Sequence, residues 1–245
     1  MPELEFFSKH YWHPLASYGF TNDFWRVTSE TVINTWCVLG VLCALIVILR
    51  IALRDKNNVV SYTAISFVRA FQDLTEQSLG YFNFNHFCFI TSLFTFIVLC
   101  NLISLIPFLE EPTSDLSTTL ALGICSFLYV QGNSIKYNGV FGYLKEFIEP
   151  FFFMLPLHVV GLLATIVSVS FRLFGNIFGG VIISHLYLHA IGGKPVFEIL
   201  GMVTGFNIVI TLFFIIFEGV IQAFVFSMLS LTYLSLAISQ KENHA

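Results

Sequence analysis

The sequence predicts an all-α polytopic membrane protein, with about five membrane helices and one amphipathic surface helix, the last two spans long and strongly tilted. Three observations predict it. The 245-residue chain is 56% hydrophobic and only 11% charged, and its mean hydropathy is +0.82, too apolar for a water-soluble domain of this length. Its apolar runs recur at the length that crosses a hydrocarbon core of about 30 Å. Its charges gather between those runs, and their location carries more information than the net −4.

Residues 1–31 make an outer segment of mixed polar and aromatic character, with Trp12, Tyr18 and Trp25 suited to a membrane interface. No basic stretch precedes a short apolar core there, so a cleaved signal is not expected and the first span directs insertion. That span, 32–49, runs into Arg50, Arg54, Lys56 and Arg69. A basic cluster marks the cytoplasmic side and puts the N-terminus outside. Over 58–82, apolar Ile65, Val68, Phe71 and Leu79 recur at helical spacing among Arg69, Gln72, Asp73 and Glu76, the pattern of an amphipathic helix on the membrane surface.

The second span, 86–108, stops at Pro107, and the acidic loop LEEPTSD follows with Glu110, Glu111 and Asp115. Asp115 suits a helix N-cap. A third span, 117–133, returns to Lys136 and Lys145. Beyond Pro150 two stretches, 151–191 and 196–238, each approach twice the length of an upright span. Each is a hairpin of two short spans or a single steeply inclined helix. A 40-residue helix is about 60 Å long against a core of about 30 Å, so one helix must tilt beyond the ordinary 0–40° or so. Gly175, Gly179 and Gly180 offer a turn without a polar cluster, whereas GGKP at 192–195 is a clear break. Two long helices joined at GGKP are expected, with the 241–245 tail in the cytoplasm. The five cysteines are scattered through apolar runs without CxxC or metal-ligand spacing, as small buried apolar side chains would be.

One arginine, Arg172 in SVSFRLFGN, lies inside the first long stretch with no acidic neighbour in the chain. An intramembrane arginine costs several kcal/mol, about 3 or more. It stays protonated, so it relays no protons; it holds a carboxylate ionised and repels passing cations. With no acidic residue within easy local reach, its natural partner is a carboxylate on another chain.

FRLFGN at 171–176, IQAFVFSMLSLTYLSLA at 221–237, NLISLIPFLEEPTSDLSTTLALG at 101–123 and GVFGYLKEFIEP at 139–150 resemble the subunit a family of the F-type ATP synthase, in order and over roughly residues 65–240. The resemblance implies two proton half-channels beside a ring of subunit c, whose carboxylates meet Arg172 as the coupling arginine. It implies further partners in peripheral-stalk subunit b, the remaining Fo and F1 subunits and the lipid bilayer, with no cofactor, no nucleic acid and ATP chemistry on other subunits. Asn176 and Gln222 match the family's asparagine and the glutamine facing the arginine. His158, 14 residues before Arg172 and about 40° round the helix from it, stands where the family usually has a glutamate lining the inner exit, and histidine titrates near neutral pH. Val181 and Ile215 occupy two positions where relatives carry titratable groups. His185, His189 and Glu218 are the nearby candidates for a relocated outer path, with Asp115 a weaker one at the outer mouth. Ser168, Gly175 and Gly179 form a small-residue face that lets a ring approach. HLYLH offers two histidines at i and i+4 but no third ligand, so no metal is expected. The family occurs in bacterial inner membranes, the expected location; His185 keeps an organellar inner membrane as the alternative.

Other classes fit less well. A stand-alone transporter or channel, the main rival, would show internal repeats and interrupted helices; a voltage sensor would show regularly spaced arginines; a structural scaffold leaves Arg172, Asn176 and Gln222 without a role. Soluble catalysis lacks a phosphate loop or nucleophile constellation.

Overall fold

The computed structural model describes residues 11–12, 27–54, 59–106, 109, 111–148, 153–191, 209 and 212–239. Six α-helices dominate it: α1 Ser29–Ala52, α2 Val59–Leu79, α3 Phe84–Leu102, α4 Leu116–Ile148, α5 Met154–Ile191 and α6 Gly219–Ser239. Two-residue strands, Tyr11–Trp12 and Val27–Thr28, pair antiparallel ahead of α1. The rest of the outer segment, Lys56, the GGKP break, residues 196–208 and the 241–245 tail lie outside the described residues.

Among the described residues, four helical stretches are long and apolar enough to cross a membrane: Ser29–Ala52, Phe84–Leu105, Leu155–Ile183 and Phe213–Ile238. Many of their large apolar side chains, among them Ile46, Leu163, Phe178 and Phe217, point away from the protein, which lipid tolerates and water does not. The third expected span lies in α4. Its second half carries Gln131, Asn133, Ser134, Lys136 and Asn138, and several polar groups are satisfied inside the protein. Ser126 donates to Ser230 Oγ at 2.7 Å and Asn138 to the Ala237 carbonyl at 3.2 Å. The helix runs on to Ile148 past a kink at Gly139, whose φ of 73° is a left-handed conformation that glycine adopts without a side-chain penalty.

The amphipathic helix forms as expected, over Val59–Leu79, and its apolar positions divide between two surroundings. Phe71 and Thr75 are buried while Ile65 and Val68 face outward. The Phe71 ring lies 4.9 Å from Phe94 of α3, and Ser235 of α6 donates to the Ser78 carbonyl at 2.5 Å. Hydropathy cannot separate the two faces, because lipid and protein interior are equally apolar. The cysteines show the same ambiguity: Cys100 is buried, whereas Cys43, Cys88 and Cys125 lie on outward faces.

Residues 154–191 form one continuous helix, not a hairpin. Its 38 residues make it about 57 Å long. Gly175, Gly179 and Gly180 produce no turn. The central core joins α3, α5 and α6 through Leu93, Ile97, Leu173, Ile177, Ala223 and Phe226.

Candidate functional site

Helix α5 buries one stripe, Ser170, Leu173, Ile177 and Gly180, at the i, i+3, i+7, i+10 spacing of a packed helical face. The opposite side stays open, and Arg172 is exposed there with Phe171, Gly175 and Phe178. Where α5 meets α6, Arg172 and Gln222 line a common cleft with Val169, Leu173, Phe226 and Leu229. That cleft leaves no room for a water molecule. Its walls offer a neutral amide and apolar carbon, so they give the guanidinium no carboxylate.

One turn further along α5, Asn176 meets Glu218. The amide, oriented by its hydrogen-bond network, donates to both carboxylate oxygens of Glu218, to Oε2 at 3.2 Å. Glu218 closes a π-helical turn, Phe213–Glu218, that leads into α6; such turns recur where a side chain must be re-aimed. Gly180 accommodates this turn, because a Cβ there would lie 3.1 Å from the Phe214 ring.

Beside this pair lies a cavity of about 260 Å³ lined by Asn101, Ser104, Glu111, Asn176, Val181 and Ile215, among others. Val181 and Ile215, the two positions expected to carry titratable groups, thus face the cavity with hydrocarbon. Its polar wall comes from the end of α3 and the following loop. Ser104 donates to Glu111 Oε1 at 2.6 Å. Asn101 donates to the Gly219 carbonyl at 2.9 Å and accepts from Thr113 Oγ1 at 2.9 Å. Burial pushes the Glu111 carboxyl above its ordinary value of 4.5, and the Ser104 hydrogen bond acts in the opposite direction.

Toward the N-terminal end of α5 a second cavity, of about 290 Å³, opens between α4, α5 and α6. His158 lines it with Gln131, Thr165 and Tyr233. Tyr143 reaches back across the Gly139 kink to donate to Gln131 Oε1 at 2.8 Å on the same wall. Along α5 this cavity ends at Val169 and the other begins at Asn176. The interval is seven residues, about 10 Å of helix, and Arg172 lies within it.

The remaining candidates fall as follows. Asp115 caps α4: its Oδ1 accepts from the Ser117 N–H at 3.1 Å, the N-cap pattern, and its Oδ2 accepts from Thr31 at 3.4 Å. Ser168 and Gly175 are exposed and Gly179 half-buried; a Cβ at either glycine would meet nothing within 4 Å among the described residues, so none of those covers this small-residue face. His189 is exposed near the end of α5. His185 sits on the same helix, but its side chain lies outside the described residues.

Sequence reasoning passed over Asn101, Ser104, Thr113 and the particular place of Glu111. The available signal was an asparagine inside an apolar span, a costly residue there without a partner. It also passed over Gln131 and Tyr143, whose partnership depends on the kink.

The ATP synthase A chain family matches residues 32–235. The chain is 32% identical over 225 residues to ATP synthase subunit a 2 of Acaryochloris marina, covering 90% of this chain and 85% of that one. It is 33% identical over 209 residues to ATP synthase subunit a of Moorella thermoacetica, covering 84% and 89%. It is 30% identical over 230 residues to the subunit a of Propionigenium modestum named as sodium ion specific, covering 86% and 75%.

Proposed function

The chain belongs to the ATP synthase subunit a family, and from that premise we propose that it carries two proton half-channels separated by Arg172. Membership makes it a membrane component of an ATP synthase, assembled with that enzyme's other subunits. The observation that supports the finer reading is the pair of cavities that end on opposite sides of Arg172, with a cleft between them too tight for water.

The outer route runs through the cavity bounded by Glu111, Ser104, Asn101, Asn176 and Val181. Glu111 collects a proton from the outer side, with Asp115 beside it at the mouth, and the Asn176–Glu218 pair passes it toward the ring. His185 and His189, further along the α5 sequence, supply additional proton-carrying groups for this route. A carboxyl of subunit c that receives the proton becomes neutral and enters lipid. An ionised one is held by Arg172, with the Gln222 amide orienting the guanidinium. After a full turn the carboxyl releases its proton into the inner cavity, where His158 accepts it and Gln131 and Tyr233 line the way out. Arg172 stays charged throughout and blocks a proton that would cross directly. Ser168, Gly175 and Gly179 let the ring come close. The protein is itself no ATPase; nucleotide chemistry belongs to other subunits, and peripheral-stalk subunit b holds it as stator. By charge, Arg50, Arg54, Arg69 and Lys136 put the His158 end inside a bacterial inner membrane. With α4 as the fifth crossing helix, the N-terminus is outside and the C-terminus in the cytoplasm.

Cysteine accessibility tests this arrangement. With the five native cysteines replaced, Thr165→Cys should react with a membrane-impermeant thiol reagent from the cytoplasmic side alone. Val181→Cys should react from the outer side alone. Labelling of both from one side would refute two opposed half-channels.

A further inference from the structure

We propose that Gly123 of α4 and Ser170 of α5 form a register lock that sets the rotation of α5 and so aims Arg172; this rests on the coupling role given to Arg172 above. A Cβ at Gly123 would overlap the Ser170 hydroxyl, and it would also lie 3.4 Å from the Ile166 carbonyl oxygen and 3.5 Å from Ile166 Cγ2. The overlap is with Oγ alone; the Ile166 distances are ordinary contacts. Ser170 is fully buried, and its Oγ has no hydrogen-bond partner among the described residues. A buried hydroxyl without a partner is costly where alanine would not be, so stability alone does not account for serine at this place.

Arg172 follows Ser170 by two positions, about 200° round the helix. Seating Ser170 against Gly123 therefore turns Arg172 to the open side of α5, away from α4. Leu173, 1% exposed, packs into the α3–α6 core, and Gly180 seats against Phe214 two turns later. The helix is thus fixed on both sides of Arg172, with the Gly123 contact on its N-terminal side. Gly123 also lines the inner cavity, with Val169, so a side chain there rotates α5 at the point where that cavity ends. Gly123 and Ser170 are positioning residues; neither touches the transported proton.

The test uses the assembled enzyme in membrane vesicles and reads three quantities: the amount of this chain in the complex, ATP-driven proton pumping per complex, and passive proton leak. Gly123→Ala should lower pumping per complex by about tenfold or more, as an ångström-scale misplacement of a key group does. Adding Ser170→Ala should restore it to within about twofold, since the coupling lies in that one pair. Gly132→Ala, on the same helix with nothing within 4 Å of the new Cβ, should pump as wild type. A purely structural role would lower the amount of complex and leave the rate per complex unmoved. Wild-type pumping by Gly123→Ala would overturn the proposal, since the hydroxyl would then simply turn aside. So would a double variant that fails to recover. If Gly123→Ala does not accumulate, the double variant decides: recovery of both amount and pumping supports the lock, and failure to recover overturns it. Arg172→Ala, measured in parallel, separates the two claims. Intact coupling there removes the functional reading itself, whereas lost coupling with a harmless Gly123→Ala removes the lock alone.

Discussion

Replacing Asn101 by leucine removes the side chain that ties three elements together beside the outer cavity. The amide donates to the Gly219 carbonyl and accepts from Thr113, both at 2.9 Å, and the residue is 2% exposed. Leucine keeps the volume, so packing contributes little to the expected loss. Thr113 is fully buried, and a buried hydroxyl left without its partner costs about 1–3 kcal/mol. Gly219 opens α6, whose own ladder still supplies its carbonyl a donor, so that bond is worth about 0.5–1.5 kcal/mol. The adjoining cavity of about 260 Å³ can admit water as a substitute partner, which places the total near the low end, about 2 kcal/mol. SDS titration of the purified subunit in mixed micelles, followed by near-UV circular dichroism, measures that difference. Thr113→Val in the same background removes the orphaned hydroxyl. The double variant should therefore lose about 1 kcal/mol less than the sum of the singles. An Asn101→Leu protein within about 0.5 kcal/mol of wild type, or strictly additive variants, would refute the reasoning.

Glu111 makes stability pH-dependent in a definite direction. Its carboxyl titrates above the ordinary 4.5 in the folded chain, so the native state binds more protons than the unfolded one in that window, and stability falls as pH rises through it. Glu111→Gln should flatten that part of the pH profile of the SDS midpoint; an unchanged slope would assign it elsewhere. At Gly139, with φ 73° and ψ 160° and nothing within 4 Å of an added Cβ, alanine should cost about 1–3 kcal/mol through backbone conformation alone, because that region is open essentially to glycine only; the same titration reads it, and an unchanged midpoint would count against it. His86 is buried, with Nδ1 2.8 Å from the Tyr129 hydroxyl and Nε2 3.4 Å from that of Tyr137. Tyr129→Phe should therefore destabilise by about 1–3 kcal/mol; a variant within about 0.5 kcal/mol of wild type would mean that the Tyr129 contact adds little.

Residues that stand alone against their surroundings were legible in the sequence. Arg172, Asn176, Glu218 and Gln222 are polar side chains in apolar runs, and the structure gathers them at the α5–α6 contact in two adjacent pairs. The length of α5 was legible because no polar cluster interrupts 154–191. The face of α2 was not, since Ile65 and Val68 are as apolar as the residues that pack, and a membrane supplies no contrast between outside and inside. Nor was the outer cavity's polar wall. Asn101 and Gly219 are 118 positions apart, and only the π turn and the fold of the acidic loop bring Glu111, Ser104 and Asn101 around one space. His158 could be picked out by its titratable ring, but its companion Gln131–Tyr143 pair depends on the backbone at Gly139, where the Asn138–Gly139 dipeptide signals a turn without saying which side chains it brings together.

The barrier at Arg172 is what couples proton flow to rotation, and Arg172→Ala in vesicles containing the assembled enzyme puts that role to the test. Proton-driven ATP synthesis and passive proton leak are recorded separately on the same preparation. Synthesis should be lost while leak is retained or increased, because the two cavities then meet through an opening that no fixed positive charge guards. Synthesis that survives at the wild-type rate, with leak unchanged, would contradict that role.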